Sequence, residues 1–416
     1  MQHLGLYSVG MGDRFGHEAE AQLKAVIKMR KEKGIALTPV WNKSNREHSL
    51  IGSSPEDTRK AVDTAVKKMN WNEAYFVDAD HITLSTVPRF LEACDFFTID
   101  VADFIGKQSS SRETEYMMKE LSPLSGYVLV NGIEEPFLLN TAMLRQGVEK
   151  FLEAVNQAAA IYQTIKNHKK DQPFITEISM DETTEPLSPV EMLILLKMLA
   201  VKKIPAHTIA PRFPGKFNKG INYRGDLRQF EKEFEKYLFI IDYAIRHFGL
   251  SPDLKISLHS GSDKFDLYPV INRLLKKHKK GLHLKTAGTT WLEEIIGLCK
   301  AGGEALELVK EMYAQMLMQR EALCQPYATV IDINPAHLPA AETVRNWSPE
   351  KWVCSLSHET SQPEYNPHMR QLFHVGFKVA ATYGERYIRM IEKHHDLIAE
   401  GVMTNLYDRH FVPLFS

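Results

Sequence analysis

Ionisable residues cluster where short apolar runs end, and their types are those that hold metals and move protons. In chain order these ends are Gly10-Met11-Gly12-Asp13-Arg14, Asp78-Ala79-Asp80-His81, Asp100 with Asp103, and Glu177 with Asp181 and Glu182. Arg212, His259-Ser260-Gly261-Ser262-Asp263, and His283 with Lys285 complete the series. Burying so many charges without partners would cost several kcal/mol each. The cluster therefore points to a bound metal, a charged substrate, or both.

Alternation along a strand decides which side chains share a face. In Lys255–His259, Ile256 and Leu258 take the outward phase, which turns Ser257 and His259 inward. The same argument turns His283 and Lys285 inward, and Glu177 opposite to Ile178. His81 follows directly on an inward Asp80. His81, His259 and His283 are thus the expected metal ligands. Neutral imidazole suits zinc, nickel, cobalt or manganese, and three protein ligands leave positions open for substrate oxygens. The plainer alternative for any of them is a hydrogen-bonded histidine. Of the 17 histidines, His168, His278, His394 and His395 have charged neighbours and read as surface residues. An inward Lys285 can neutralise a carboxylate or act as a Schiff-base nucleophile.

Other chemistries find less support. Gly10-Met11-Gly12 followed by Gly16 puts the third glycine one place late for a dinucleotide fingerprint. Trp41-Asn42-Lys43, which ends the second run, offers no acid for a ribose, so NAD is not expected. Those glycines instead make a tight turn, or set amides near an anionic substrate group at a helix start. G-x-S-x-G, a P-loop and a basic-aromatic stripe are all missing.

The positioning elements follow a regular rhythm. Strand-like runs fall at Leu6–Gly10, Ala36–Trp41, Ala74–Ala79, Phe96–Val101, Phe174–Ser179, Ala206–Ala210, Lys255–His259 and Leu282–Thr286. Helical patterns lie between or after them at His17–Glu32, Pro55–Met69, Val87–Ala93, Pro189–Val201, Asp226–Phe248, Leu267–Lys277 and Trp291–Ala301. Ser54-Pro55 with Asp57, and Ser188-Pro189 with Glu191, are good helix starts. Eight alternations predict a parallel (β/α)8 TIM-type barrel, with a doubly wound open sheet as competitor. Charged side chains at the carboxyl ends of barrel strands share one mouth. Residues 1–302 are read as the barrel and 303–416 as a helical C-terminal extension. Residues 104–170 form a helical insertion after strand four, expected over the upper face.

Composition sets the class. The chain has 416 residues, 44% apolar and 25% charged, which excludes a disordered or fibrous protein. With 51 Lys+Arg against 52 Asp+Glu the net charge is −1, and no global field draws nucleic acid or an anionic membrane. Four dispersed cysteines without a C-x-x-C pair suit a reducing cytoplasm. The start MQHLGLYSVGMG does not read as a signal peptide, and no apolar run approaches a membrane span. The expected partner is a small molecule; a homo-oligomer is compatible with the sequence but not specified by it.

Over nearly its whole length the chain resembles the tagaturonate epimerase family of bacterial hexuronate catabolism. The likeness is clearest in LYSVGMGDRFGHE (6–18), YFVDADHI (75–82), FITEISMDET (174–183), SLHSGSDKFD (257–266) and LHLKTAGTTWLEE (282–294). The resemblance implies metal-aided interconversion of D-tagaturonate and D-fructuronate on a barrel. These ketouronates differ at the carbinol carbon β to the ketone, where a carbanion finds no carbonyl support. Two routes remain without NAD. One is reversible retro-aldol cleavage with the ketone polarised by a metal; the other begins by deprotonating a carbon flanking the ketone. Both need acid and base groups, expected to be Asp80 and Glu177. The substrate carboxylate needs a cation, for which Lys285, Arg212 and Arg14 are candidates. The competing readings are a barrel aldolase or ketose isomerase, and a sugar-acid binding protein without turnover.

Overall fold

Every run expected to be a strand forms one. The strands are β1 (Tyr7–Gly12), β2 (Leu37–Ser44), β3 (Phe76–Ile82) and β4 (Phe96–Asp100), then β5 (Ile175–Ser179), β6 (Thr208–Ala210), β7 (Lys255–His259) and β8 (Leu282–Thr286). This computed structural model describes residues 3–260, 262–286 and 288–416, so Gly261 of the β7 loop lies outside the described residues. Neighbouring strands pair in parallel, and β8 pairs with β1 through Tyr7↔Leu282 to Met11↔Thr286. That pairing closes the barrel and excludes the open sheet.

The helices begin where their caps predict. Ser54 and Ser188 each accept a hydrogen bond from the third backbone amide of their helix and receive the reciprocal carboxylate of Asp57 or Glu191. Pro189–Val201 matches the expected range, and Asp226 caps Leu227–Phe248. The pattern at Val87–Ala93 yields only a 3-10 turn, Val87–Phe90. The Thr86 hydroxyl accepts from the Thr83 amide and donates to the Thr83 carbonyl oxygen there, which holds the chain in a turn.

The insertion after β4 contains a helix (Ser111–Leu121), a two-stranded hairpin (Gly126–Val128 with Phe137–Leu139) and a 29-residue helix, Thr141–Lys169. The long helix lies in the outer ring, not over the mouth. Gly147 is where it meets Ile194 of the next helix, and Tyr162 reaches Phe174 beside β5. The mouth is roofed instead by the loop after β6 and by the segment around Tyr327–Val330. From Gly303 onward the chain is helical and shares one core with the barrel's outer helices.

Candidate active site

The barrel interior is graded from apolar to charged. At its base Leu4, Val40, Phe76, Phe96 and Ile175 form a separate apolar floor. His283 sits next to that floor, its ring 5.2 Å from Phe96, with Nδ1 2.9 Å from Ser8 Oγ. It is fully buried, and burial depresses its pKa to about 3, so the ring is neutral. The structure therefore does not bring His283 to the mouth with the other two imidazoles. In the β7–β8 register, Lys285 lies opposite His259, whereas His283 lies opposite Ser257. Two residues along a strand is roughly 6.6 Å deeper.

Above the floor stands a buried lysine among acids. Lys285 Nζ lies 2.8 Å from Asp78 Oδ2, 2.7 Å from Asp80 Oδ1, 3.4 Å from Glu177 Oε1 and 2.5 Å from Thr98 Oγ1. Burial alone would lower its pKa, but the three carboxylates outweigh burial and hold it well above the usual lysine value. That favours a charge-neutralising lysine over an amine nucleophile. Gly10 on β1 leaves the necessary room: a Cβ there would come within 3.0 Å of Lys285 Cγ and 3.2 Å of His283 Nε2.

The metal-type donors meet one layer higher. His81, Asp181 and His259 form the one group of three such residues, among those described, whose ligand atoms all lie within 4.8 Å of one another. His81 Nε2 is 3.4 Å from Asp181 Oδ1, and His259 Nδ1 is 3.2 Å from Asp181 Oδ2. Each ring turns its other nitrogen to a deeper carboxylate: His81 Nδ1 to Asp80 and His259 Nε2 to Glu177, both at 2.7 Å. Carboxylates placed behind imidazoles in this way fix ring orientation in metal sites. Burial would lower His259, but Asp181 and then Glu177 outweigh it and raise its pKa to about 9. Two imidazoles and one carboxylate are a donor set that leaves positions free for further ligands.

A local irregularity makes this possible. Strict alternation would send Asp80 and His81 to opposite faces. The β3–β4 register instead shifts between Ala79 and Ile82, and His81 takes φ +52°, so both neighbours serve the mouth. Asp181 lies two residues past β5, tied to Ser179 Oγ at 2.7 Å.

The remaining expected residues divide. Asp80, Arg212 and Lys285 line the cavity with His81, Asp181, Glu182, Lys219 and His259. Glu177 does not: it lies fully buried behind His259, with Thr208 Oγ1 donating to Oε2 at 2.6 Å. Its pKa is well below the usual value because Lys285 and His259 overcome the burial that would raise it. Arg212 donates to the Asp181 carbonyl oxygen at 3.3 Å. Arg14 stands on the adjoining wall but is already engaged by Glu47 at 3.1 Å and by the His374 carbonyl oxygen at 2.8 Å. In the glycine turn beside it, the amides of Gly16 and Glu18 are taken by the chain's own Asp13 carboxylate, at 2.7 and 2.8 Å.

Sequence periodicity did not select Asp181 as a ligand, although its place just beyond a charged strand end was a usable signal. Nor did it single out Lys219, which lies in the roof loop. That loop is clamped on both sides. Buried Lys264 donates to the carbonyls of Asn218 and Ile221 at 3.0 and 2.8 Å, and Arg370 Nε donates to Gly220 O at 2.8 Å. Gly220 holds φ +78° there, and a Cβ would lie 3.0 Å from the Arg370 carbonyl oxygen.

Comparison with known proteins adds the following. The family model for tagaturonate epimerase matches residues 2–408. A Thermotoga maritima protein named tagaturonate/fructuronate epimerase is 28% identical over 423 aligned positions, covering 96% of this chain and 79% of that protein. The native crystal structure of fructuronate-tagaturonate epimerase from Cohnella laeviribosi superposes with a TM-score of 0.80 at 24% identity, over 99% of this chain and 82% of that one. Its complex with two glycerol molecules gives 0.80 at 23% identity, over 98% and 81%. These structural likenesses bear on the fold.

Proposed function

We propose that this chain, which belongs to the tagaturonate epimerase family, interconverts D-tagaturonate and D-fructuronate with a divalent metal at His81, Asp181 and His259. The observation that carries the metal is the convergence of His81 Nε2, His259 Nδ1 and the Asp181 carboxylate. Support for the substrate comes from family membership and from the named Thermotoga maritima relative. The donor set fits zinc, nickel, cobalt or manganese. A cation there would polarise the substrate's ketone and acidify its neighbouring hydroxyl groups.

The chain's own groups then have distinct tasks. Asp80 faces the cavity, and both donors that reach it, Lys285 Nζ and His81 Nδ1, meet on Oδ1. Those charges hold its pKa far down against burial, so it is ionised at every working pH. We assign Asp80 to accept the proton of the β-hydroxyl as the adjacent carbon–carbon bond opens, and to return it on closure. Glu182, which also lines the cavity, offers a second carboxylate for the inverted hydroxyl. Glu177, which is buried and does not line the cavity, we assign to orienting His259. Lys285 helps to keep Asp80 and Glu177 charged, while burial raises Asp78 to about 7, and Arg212 is placed to hold a substrate oxygen. The four free cysteines suit the cytoplasm, where we place the enzyme.

The test is to incubate purified protein with D-tagaturonate, with and without chelation, and quantify fructuronate by chromatography. Product that depends on restored metal is expected. Cleavage to smaller fragments without epimer would indicate an aldolase, and full activity of metal-free protein would remove the metal.

A further inference from the structure

Three cations surround one buried aromatic ring at the edge of the active-site cavity. The Arg46 guanidinium carbon lies 4.8 Å from the centroid of Tyr327, Lys378 Nζ 5.6 Å and Lys219 Nζ 5.8 Å. They come from three unrelated segments: the first turn of the helix after β2, the helix Phe377–Thr382, and the roof loop. Lys219 has one carboxylate within reach, Glu182 at 3.7 Å. Among the described residues, Arg46 and Lys378 have no carboxylate partner within ion-pair distance. The Lys378 ammonium is held below its usual value by burial and by the charge of Arg46.

Three like charges about one ring repel, and the ring's negative face offsets only part of that. The nearby acids are otherwise engaged: Glu47 with Arg14 and its own helix cap, Asp80 with Lys285 and His81, and Asp100 with the amide of Ala102. Arg46, Lys219 and Tyr327 line the same cavity wall as Asp80 and His81. Lys219 is pre-positioned, since its amide donates to Val330 O at 2.8 Å and the next amide donates to Ser262 Oγ at 2.9 Å. Of the cations expected to meet a substrate carboxylate, Lys285 is surrounded by acids and Arg14 is paired.

We infer that Arg46, Lys219 and Lys378, gathered on Tyr327, form an anion-binding rim that captures the carboxylate of a sugar acid while its ketone end reaches His81 and Asp80. The identity of the anion rests on the function proposed above. The rim makes the acid, and not the neutral ketose, the preferred ligand.

Calorimetric titration of the full-length protein separates the possibilities without requiring turnover. The probes are D-tagaturonate, D-tagatose (which carries a CH2OH in place of the carboxylate) and inorganic phosphate. The variants are Arg46→Met with Lys378→Met, both at the surface or half-buried, and separately Lys219→Met. The double variant should bind D-tagaturonate at least tenfold more weakly, bind D-tagatose unchanged, and lose most of the salt dependence seen in the wild type. An unchanged Kd for D-tagaturonate, or an equal loss for D-tagatose, would overturn the rim. So would rim-dependent phosphate binding that does not compete with D-tagaturonate. Rim-dependent binding by a protein that makes no fructuronate would sink the epimerase reading and leave the rim standing. Fructuronate formation with a KM indifferent to the three substitutions would do the reverse.

Discussion

Replacing Lys285 by Met removes the one cation shared by three buried carboxylates while roughly keeping the side chain's length. Its ammonium lies within 2.8 Å of Asp78 and Asp80 and 3.4 Å from Glu177. Removing one partner from a buried ionic group costs about 3–5 kcal/mol, because the remaining charges are left uncompensated. The sign with pH follows from the shifts. In the wild type the depressed Asp80 and Glu177 contribute stability above the unfolded carboxylate pKa of about 4, lost as pH falls through their folded values. In the variant those acids lack their cation and titrate upward, so the folded state takes up protons more readily than the unfolded chain. The deficit should therefore be largest near pH 7–8 and shrink toward pH 5. Thermal unfolding of both proteins across that range reads it directly, as a Tm gap of several degrees that narrows on acidification. A variant as stable as wild type at pH 7, or a gap that stays constant down to pH 5, would refute the argument.

Two further outcomes follow from the same geometry. Metal uptake must displace one proton from each of two imidazoles held high, His81 well above its usual value and His259 at about 9, so affinity should tighten about tenfold per pH unit for each proton, about a hundredfold in all, between pH 6 and 8; titration with zinc at several pH values checks this, and a flat profile contradicts it. Both acids orient a ligand imidazole, so Asp80→Asn and Glu177→Gln should each cost about 10–100-fold in metal affinity; at saturating metal Glu177→Gln should recover turnover, whereas Asp80→Asn should stay about 10²–10⁴-fold down in kcat. Equal turnover of these two variants at saturating metal would undo their separate assignments.

How much of this could be read from the sequence depends on the kind of geometry involved. The eight strands were legible because each is an apolar run closed by a charge. The inward faces of Glu177, His259 and Lys285 followed from a period of two. Periodicity gives a face but no depth, which is why His283 was grouped with imidazoles that stand a layer above it. The bulge that turns both Asp80 and His81 to the mouth breaks the period, and Asp181 lies past the strand where no period applies. The rim cations were not legible either, since Arg46, Lys219 and Lys378 meet only through the closure of distant segments around Tyr327.

The most direct test of the central claim uses heavy water. D-tagaturonate is incubated with the metal-supplied enzyme, and the product is read by proton NMR. Fructuronate should form with its hydrogen retained at the inverted carbon, because opening and closing the carbon–carbon bond never removes that hydrogen and the ketone lends no support to an anion there. Stoichiometric deuterium at that carbon would contradict the assigned chemistry, and the absence of fructuronate would contradict the proposed function itself.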